Sequence, residues 1–249
     1  MLILLGWRRG GAHGRRHPSQ KKGWGMGCYQ DVMDDVTCMA MYWMGRRSEL
    51  RFPACKEFEE YIDPACYHEE DPSQDSLDFV NMIFTEWLLF ERPLRDGLTP
   101  LEIFIEQRPV VMTQASWKRL AEVRDTQVFS RFAIRHKDLD TNMCVYQDVR
   151  SGKRYDVYDE HVCKIDRWRD GTIAERIACV EDEWCPVAQV RLYDRAAPEE
   201  TAVDGPGELH PEDEGLLPPA VRDSFYLRLA RDTMGYRGRY SPSVRTIVY

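Results

Sequence analysis

The sequence predicts an α+β protein: an N-terminal helical module followed by a small antiparallel β-barrel or rolled sheet, with an Arg/Tyr-rich C-terminal tail. Three observations predict it. Apolar residues recur at helical spacing to about residue 124, the pattern changes to period two at Gln127, and a stretch rich in Pro, Gly and acids at 196–219 separates the sheet from the tail. The chain of 249 residues therefore divides into a flexible basic arm (1–27), a helical module (28–126), a β module (127–195), an acidic linker (196–219) and a basic tail with a short helix (220–249).

Within 28–75, Val32, Val36, Met39, Ala40 and Trp43 have helical spacing, while Pro53 and Pro64 interrupt. One or two short helices are expected there. Residues 76–91 form the clearest helix. Val80, Ile83, Phe84, Trp87 and Leu88 recur at i, i+3, i+4, i+7 and i+8, Asp75 or Ser76 caps it, and Pro93 stops it. Thr99, Pro100 and Glu102 stand at the N-cap, N1 and N3 positions of the next helix, a capping box, and Pro109 ends it. A third helix is expected over about 114–124, with Trp117, Leu120 and Ala121 inward.

Six short strands follow in the expected β module. Val128, Phe132 and Ile134 mark the first, Met143 to Val149 the second, and Tyr155 with Val157 the third. Val162 to Trp168 reads as the fourth, joined through an Asp170-Gly171 hairpin to the alternation Ile173, Glu175, Ile177, Cys179; Trp184 to Leu192 is the last. In the tail, Val221, Phe225 and Leu229 form a helical stripe that Gly235 can end.

Charge is uneven. The net charge is −8, but the six bases of residues 1–22 (Arg8, Arg9, Arg15, Arg16, Lys21, Lys22) face no acid there; the other 28 stand against 42 acids, a net of −14. Such a body repels nucleic acid at long range. The tail reverses sign, with six Arg against two Asp. The eight cysteines include no CxxC pair and follow no secretory signal, so reduced thiols in a cytoplasmic protein are expected. No stretch approaches the roughly 18 apolar residues of a membrane span.

Chemistry-bearing constellations are few. Gly23-Trp24-Gly25-Met26-Gly27 has no strand before it and reads as flexible arm. Asp138-Leu139-Asp140-Thr141-Asn142 opens like a calcium loop, but Met143 and Val149 occupy the sixth and twelfth positions, where such a loop needs Gly and Glu. Cys55, Cys66 and His68, with Cys28 or Cys38, lack the paired spacing of a zinc site and read as buried cysteines. His136 and His161 beside Cys144 or Cys163 read as strand-edge residues rather than a catalytic dyad. No HExxH, GxSxG or P-loop pattern occurs, so no catalytic, cofactor-binding or metal residue is assigned.

Residues 76–195 resemble uncharacterised bacterial proteins related to those carrying a SEC-C zinc motif. The stretch FTEWLLFERPLRDGLTPLEIFI (Phe84 to Ile105) carries the resemblance. DVRSGKRYDVYDE (Asp148 to Glu160) and GTIAERIA (Gly171 to Ala178) stand where that group has its strand patterns. The group's Cys-x-Cys pair and later His-Cys are absent here, so the resemblance implies a scaffold with no activity attached.

These readings converge on non-enzymatic macromolecular recognition by an acidic protein-binding (adaptor or inhibitor-like) protein whose partner is another protein with a basic surface. An alternative is an RNA-binding protein using the Arg/Tyr tail and the β module. A second alternative is a hydrolase with an inter-module site. The candidate contacts to a partner or nucleic acid are Arg228, Arg231, Tyr236, Arg237, Arg239 and Tyr240.

Overall fold

The computed structural model describes residues 26–46, 48–195, 198, 218–239 and 247–248. Its helices up to the sheet are α1 (Met26–Met44), α2 (Arg51–Ile62), α3 (Gln74–Phe90), α4 (Pro100–Gln107) and α5 (Gln114–Thr126), with a 3-10 turn at Ala65–His68. The strands β1 (Val128–Asp138), β2 (Met143–Asp148) and β3 (Arg154–Tyr158) follow, then α6 (Glu160–Lys164), β4 (Thr172–Val180) and β5 (Glu183–Asp194). The chain returns as α7 (Pro219–Asp223), α8 (Phe225–Met234) and β6 (Ile247–Val248). The protein is α+β in this order.

The helical stripes bury as their spacing requires. Val32, Val36, Met39, Ala40 and Trp43 all lie inside, but on one helix of 19 residues where shorter pieces are expected. From Ile83 to Phe90 every residue of α3 is buried, and its cap is Ser73, whose hydroxyl accepts from Ser76 N at 3.1 Å. The capping box of α4 is present: Thr99 Oγ1 accepts from Glu102 N, and Thr99 N donates to Glu102 Oε2 at 2.7 Å. Arg108, left-handed at φ 43°, ends α4 one residue before Pro109.

The sheet order is β3-β2-β1-β4-β5-β6 with antiparallel neighbours, and β3 also meets β5 in parallel at Val157↔Trp184. That contact brings the two ends of the five-strand run together. The expected fourth strand, Val162 to Trp168, is not a strand. Asp159 caps α6 instead, its carboxylate accepting from Val162 N at 3.0 Å; Val162, Ile165 and Trp168 are spaced by three, so one side of this short helix and its following turn can turn inward. Asp170-Gly171 consequently leads into β4 rather than closing a hairpin. Gly171 is needed there: its φ is +86°, and a Cβ would lie 2.2 Å from Asp194 O.

Two apolar cores occupy the two faces of the sheet. The larger joins the helices to Ala174, Ala178, Val180, Val187 and Val190 of β4 and β5. The smaller fills the inside of the curl around Phe132, Tyr146, Trp168, Ile173 and Ile177. The change of periodicity at Gln127 thus marks a change of secondary structure, while the packing continues across it. The helix of the tail, α8, is part of the larger core. Its Tyr226 hydroxyl donates to Ile83 O at 3.0 Å, and Phe129 of β1 packs on Tyr226 with centroids 4.6 Å apart.

Candidate functional site

A cleft of about 540 Å³ opens where α2, the end of α3, β4 and the start of α8 converge. Its volume lies within the roughly 300–1,000 Å³ of ligand clefts. Trp87, Tyr61 and Phe225 supply flat apolar walls, and Arg92, Arg150 and Arg176 converge on it.

Period two places Arg176 on the helix-facing side of β4, inside the larger core, with its side chain only 3% exposed. Its Nε donates to Glu86 Oε1 at 3.1 Å, Nη1 to Gln127 Oε1 at 2.9 Å and Nη2 to Glu91 Oε1 at 2.5 Å. The rings of Phe90, Phe129 and Tyr226 surround the guanidinium at 4.9, 5.3 and 5.8 Å. Burial opposes the charge of Arg176, and Glu91 and Glu86 overcome it, raising its pKa. Glu86 is pushed up to about 7 because burial outweighs the help of Arg176 and of Val190 N.

Arg92 follows α3. Its Nε donates to Glu57 Oε2 at 2.7 Å, its guanidinium lies 5.9 Å from the Trp87 ring centroid, and its Nη1 is buried without a hydrogen-bond acceptor. Arg150, at the β2–β3 turn, extends over the Phe225 ring at 4.9 Å. The described lining of the cleft includes no His and no Cys.

Glu175, next to Arg176, points to the other core. There Arg191 Nε lies 3.3 Å from Glu175 Oε2 and 3.8 Å from Asp159 Oδ2, and Tyr146 Oη donates to Asp159 Oδ2 at 3.1 Å. The Arg191–Glu175 approach is an ion-pair distance without hydrogen-bond alignment: both Glu175 oxygens and Arg191 Nε and Nη2 are buried without an aligned partner among the described residues, while Tyr146 and Asp159 stand within reach of Glu175. Burial first, then the charge of Asp159, raises the pKa of Glu175 well above the ordinary range.

Arg231 is buried, donates from Nη1 to Tyr61 O at 3.1 Å, and lies 3.4 Å from the Tyr236 ring centroid. Arg237 is exposed, 4.8 Å from the same ring and with its Nε 4.0 Å from Asp63 Oδ2. Tyr236 is half-buried and bridges to the exposed Arg239 across a tight turn. Arg228 is half-buried on α8, apart from that group in the chain. Tyr240 lies outside the described residues, as do residues 1–25 of the expected arm and most of the expected linker.

Among the other constellations, Cys144 and Cys163 meet with their sulfurs 3.4 Å apart, while His161 packs on Trp168. Asp138 accepts from the backbone of Asp140 and Thr141, the polar turn expected from its sequence. His68 bonds to Asp63 at 2.8 Å. Among the described residues, no three side chains of His, Cys, Asp or Glu are grouped to hold a metal ion, and no helix is long and apolar enough to cross a membrane.

The cleft residues escaped the sequence reading, although a signal existed. Glu86 interrupts an otherwise apolar stretch of α3, and Glu175-Arg176 interrupts an apolar strand. Charges at such positions need buried partners. No protein-family model, curated protein or solved structure matches this chain.

Proposed function

We propose that the protein is a non-enzymatic recognition protein, an adaptor or inhibitor-like molecule, whose partner is another protein with a basic surface. The cleft carries this reading: aromatic walls, guanidinium groups at fixed positions and a described lining without the His or Cys of a nucleophilic site suit binding better than hydrolysis. The net charge of −8 supports a basic partner, because opposite charge speeds encounter. The inward packing of Arg231 and Tyr226 supports a protein partner over RNA, since a buried side chain cannot stack on bases.

The curled sheet, with β3 against β5, is a small closed barrel. The eight unpaired cysteines suit a cytoplasmic setting. Kinship with the SEC-C-related proteins rests on the stretches quoted above.

The test is affinity capture on the full chain, with and without nuclease, followed by titration of the purified candidate. A basic protein that survives nuclease and binds in purified form, more weakly as salt rises, is the expected result. Recovery of RNA alone, or turnover in a hydrolase screen, would overturn the reading.

A further inference from the structure

The cleft holds more hydrogen-bonding capacity in its guanidiniums than its own carboxylates engage. Glu57 is held by Arg92 Nε, Glu91 by Arg176 Nη2, and Asp223 lies 3.3 Å from Arg222 Nε. Arg176 has an acceptor at each of its three nitrogens, Glu86, Gln127 and Glu91. Arg92 and Arg150 do not. The Nη1 of Arg92 is buried without an acceptor, on a side chain 11% exposed. The guanidinium of Arg150 lies over the Phe225 ring, and no carboxylate among the described residues pairs with it. That unmet donor costs free energy, and because Nη1 is closed to solvent a ligand's oxygen recovers it only when the Arg92 guanidinium turns toward the cleft. The first turn of α8 lines the same cleft and adds the positive end of a ten-residue helix.

We propose that the cleft takes the C-terminal end of a partner polypeptide, its terminal carboxylate on Arg92 and Arg150 and its last apolar or aromatic side chain against Trp87 and Phe225. This rests on the recognition reading and names the part of the partner that enters. A single negative charge fits: the cleft also holds Glu57, Glu91 and Asp223, which would repel the second charge of a phosphate. A chain end fits better than an internal acid. It carries a carboxylate and a side chain on one residue, so guanidiniums and aromatic walls are met together. The basic partner that an acidic body attracts has few internal acids, but every chain has a terminus.

The test uses two libraries of short random peptides, identical except that one ends in a free acid and the other in an amide. Each is captured on immobilised full-length protein and read by mass spectrometry. Enrichment of the acid library about tenfold over the amide, with apolar or aromatic last residues, is expected, because charge-assisted contacts are the strong ones. Arg150→Gln should erase that preference, and so should Arg92→Gln. The exposed Arg150 keeps the test decisive if Arg92→Gln fails to fold. Equal capture of both libraries, no capture of either, or an unchanged preference in Arg150→Gln overturns the proposal. So does inorganic phosphate displacing the peptides as well as a free-acid peptide does. A purified protein partner that binds wild type and Arg150→Gln alike would leave the recognition reading standing and remove this one.

Discussion

On opposite faces of β4 two neighbouring residues anchor two buried charge sites with the same ingredients, one arginine and two carboxylates. Around Arg176 every donor nitrogen has an aligned acceptor, and one carboxylate, Glu91, reaches the cleft edge. Around Glu175 the atoms are close but unaligned, and the site is closed inside the curl. Equal charge counts therefore have unequal consequences. What decides the value of a buried ion pair is how fully its hydrogen bonds are met. The satisfied site works as a structural hub tying α3, β1 and α8 to β4. Around Glu175 burial, followed by the charge of Asp159, raises the carboxyl's pKa well above its ordinary value.

The largest expected effect breaks the hub. Above about pH 7, where Glu86 is ionised, Arg176→Leu leaves it buried without its main counter-charge, and breaking such a pair from one side costs about 3–5 kcal/mol. Urea unfolding should show the midpoint fall by a corresponding amount. A loss under about 1 kcal/mol would mean that the hub is no better satisfied than its neighbour across the strand.

Acidity separates the two sites next. Glu86 has a folded pKa raised from 4.5 to about 7, so the folded state holds its proton more tightly than the unfolded chain does. Its stabilising contribution is present below about pH 4.5 and is lost as pH rises through about 7, a decline of about 3 kcal/mol in all. Glu86→Gln should remove that decline from unfolding curves measured across this range. Glu175 is also raised, so its contribution is lost in the same direction as pH rises. Glu175→Gln should reduce the remaining decline of stability with rising pH, because the amide has no proton to lose. If Glu86→Gln leaves the pH profile unchanged, Glu86 titrates in the folded state as it does in the unfolded chain, and burial does not raise its pKa.

Parts of this arrangement were legible in the sequence because local rules act over a few residues. The Thr99-Pro100-Glu102 capping box and the apolar run of α3 are local signals, and both elements formed. The strands from Val128 to Tyr158 follow from alternation with Ser151-Gly152 between them; Gly152 has φ +73°. Val162 to Trp168 was misread because a five-residue helix is too short to show a period, and its deciding feature is the Asp159 side chain. The cleft was not legible. Its walls come from Glu57 to Leu227, and no local pattern tells which of 34 Lys and Arg will lack a partner. The role of α8 escaped for a related reason: a basic tail after an acidic linker looks separable, and only the partners of Tyr226 and Arg231 show that it is an inner strut.

The smallest effect concerns the turn between the two strands that carry these sites. Glu181 and Asp182 join β4 to β5 with φ of 52° and 68°, both in the left-handed region. Two-residue hairpins of that shape favour Asn-Gly, because side chains other than Asn, Asp and Gly are strained there. The acidic pair gave no turn signal, and the structure holds it in place partly through Glu181 N, which donates to Glu122 Oε2 at 2.9 Å. Glu181→Asn keeps that backbone bond and relieves the first residue, so a gain of about 0.5–1 kcal/mol is expected in thermal or urea unfolding. The pH profile should shift upward without changing shape, since the turn adds no contact to Glu86 or Glu175. A changed shape would show that strain in the β4–β5 turn sets how the two charge sites are packed, and that they cannot be compared as independent halves of one strand.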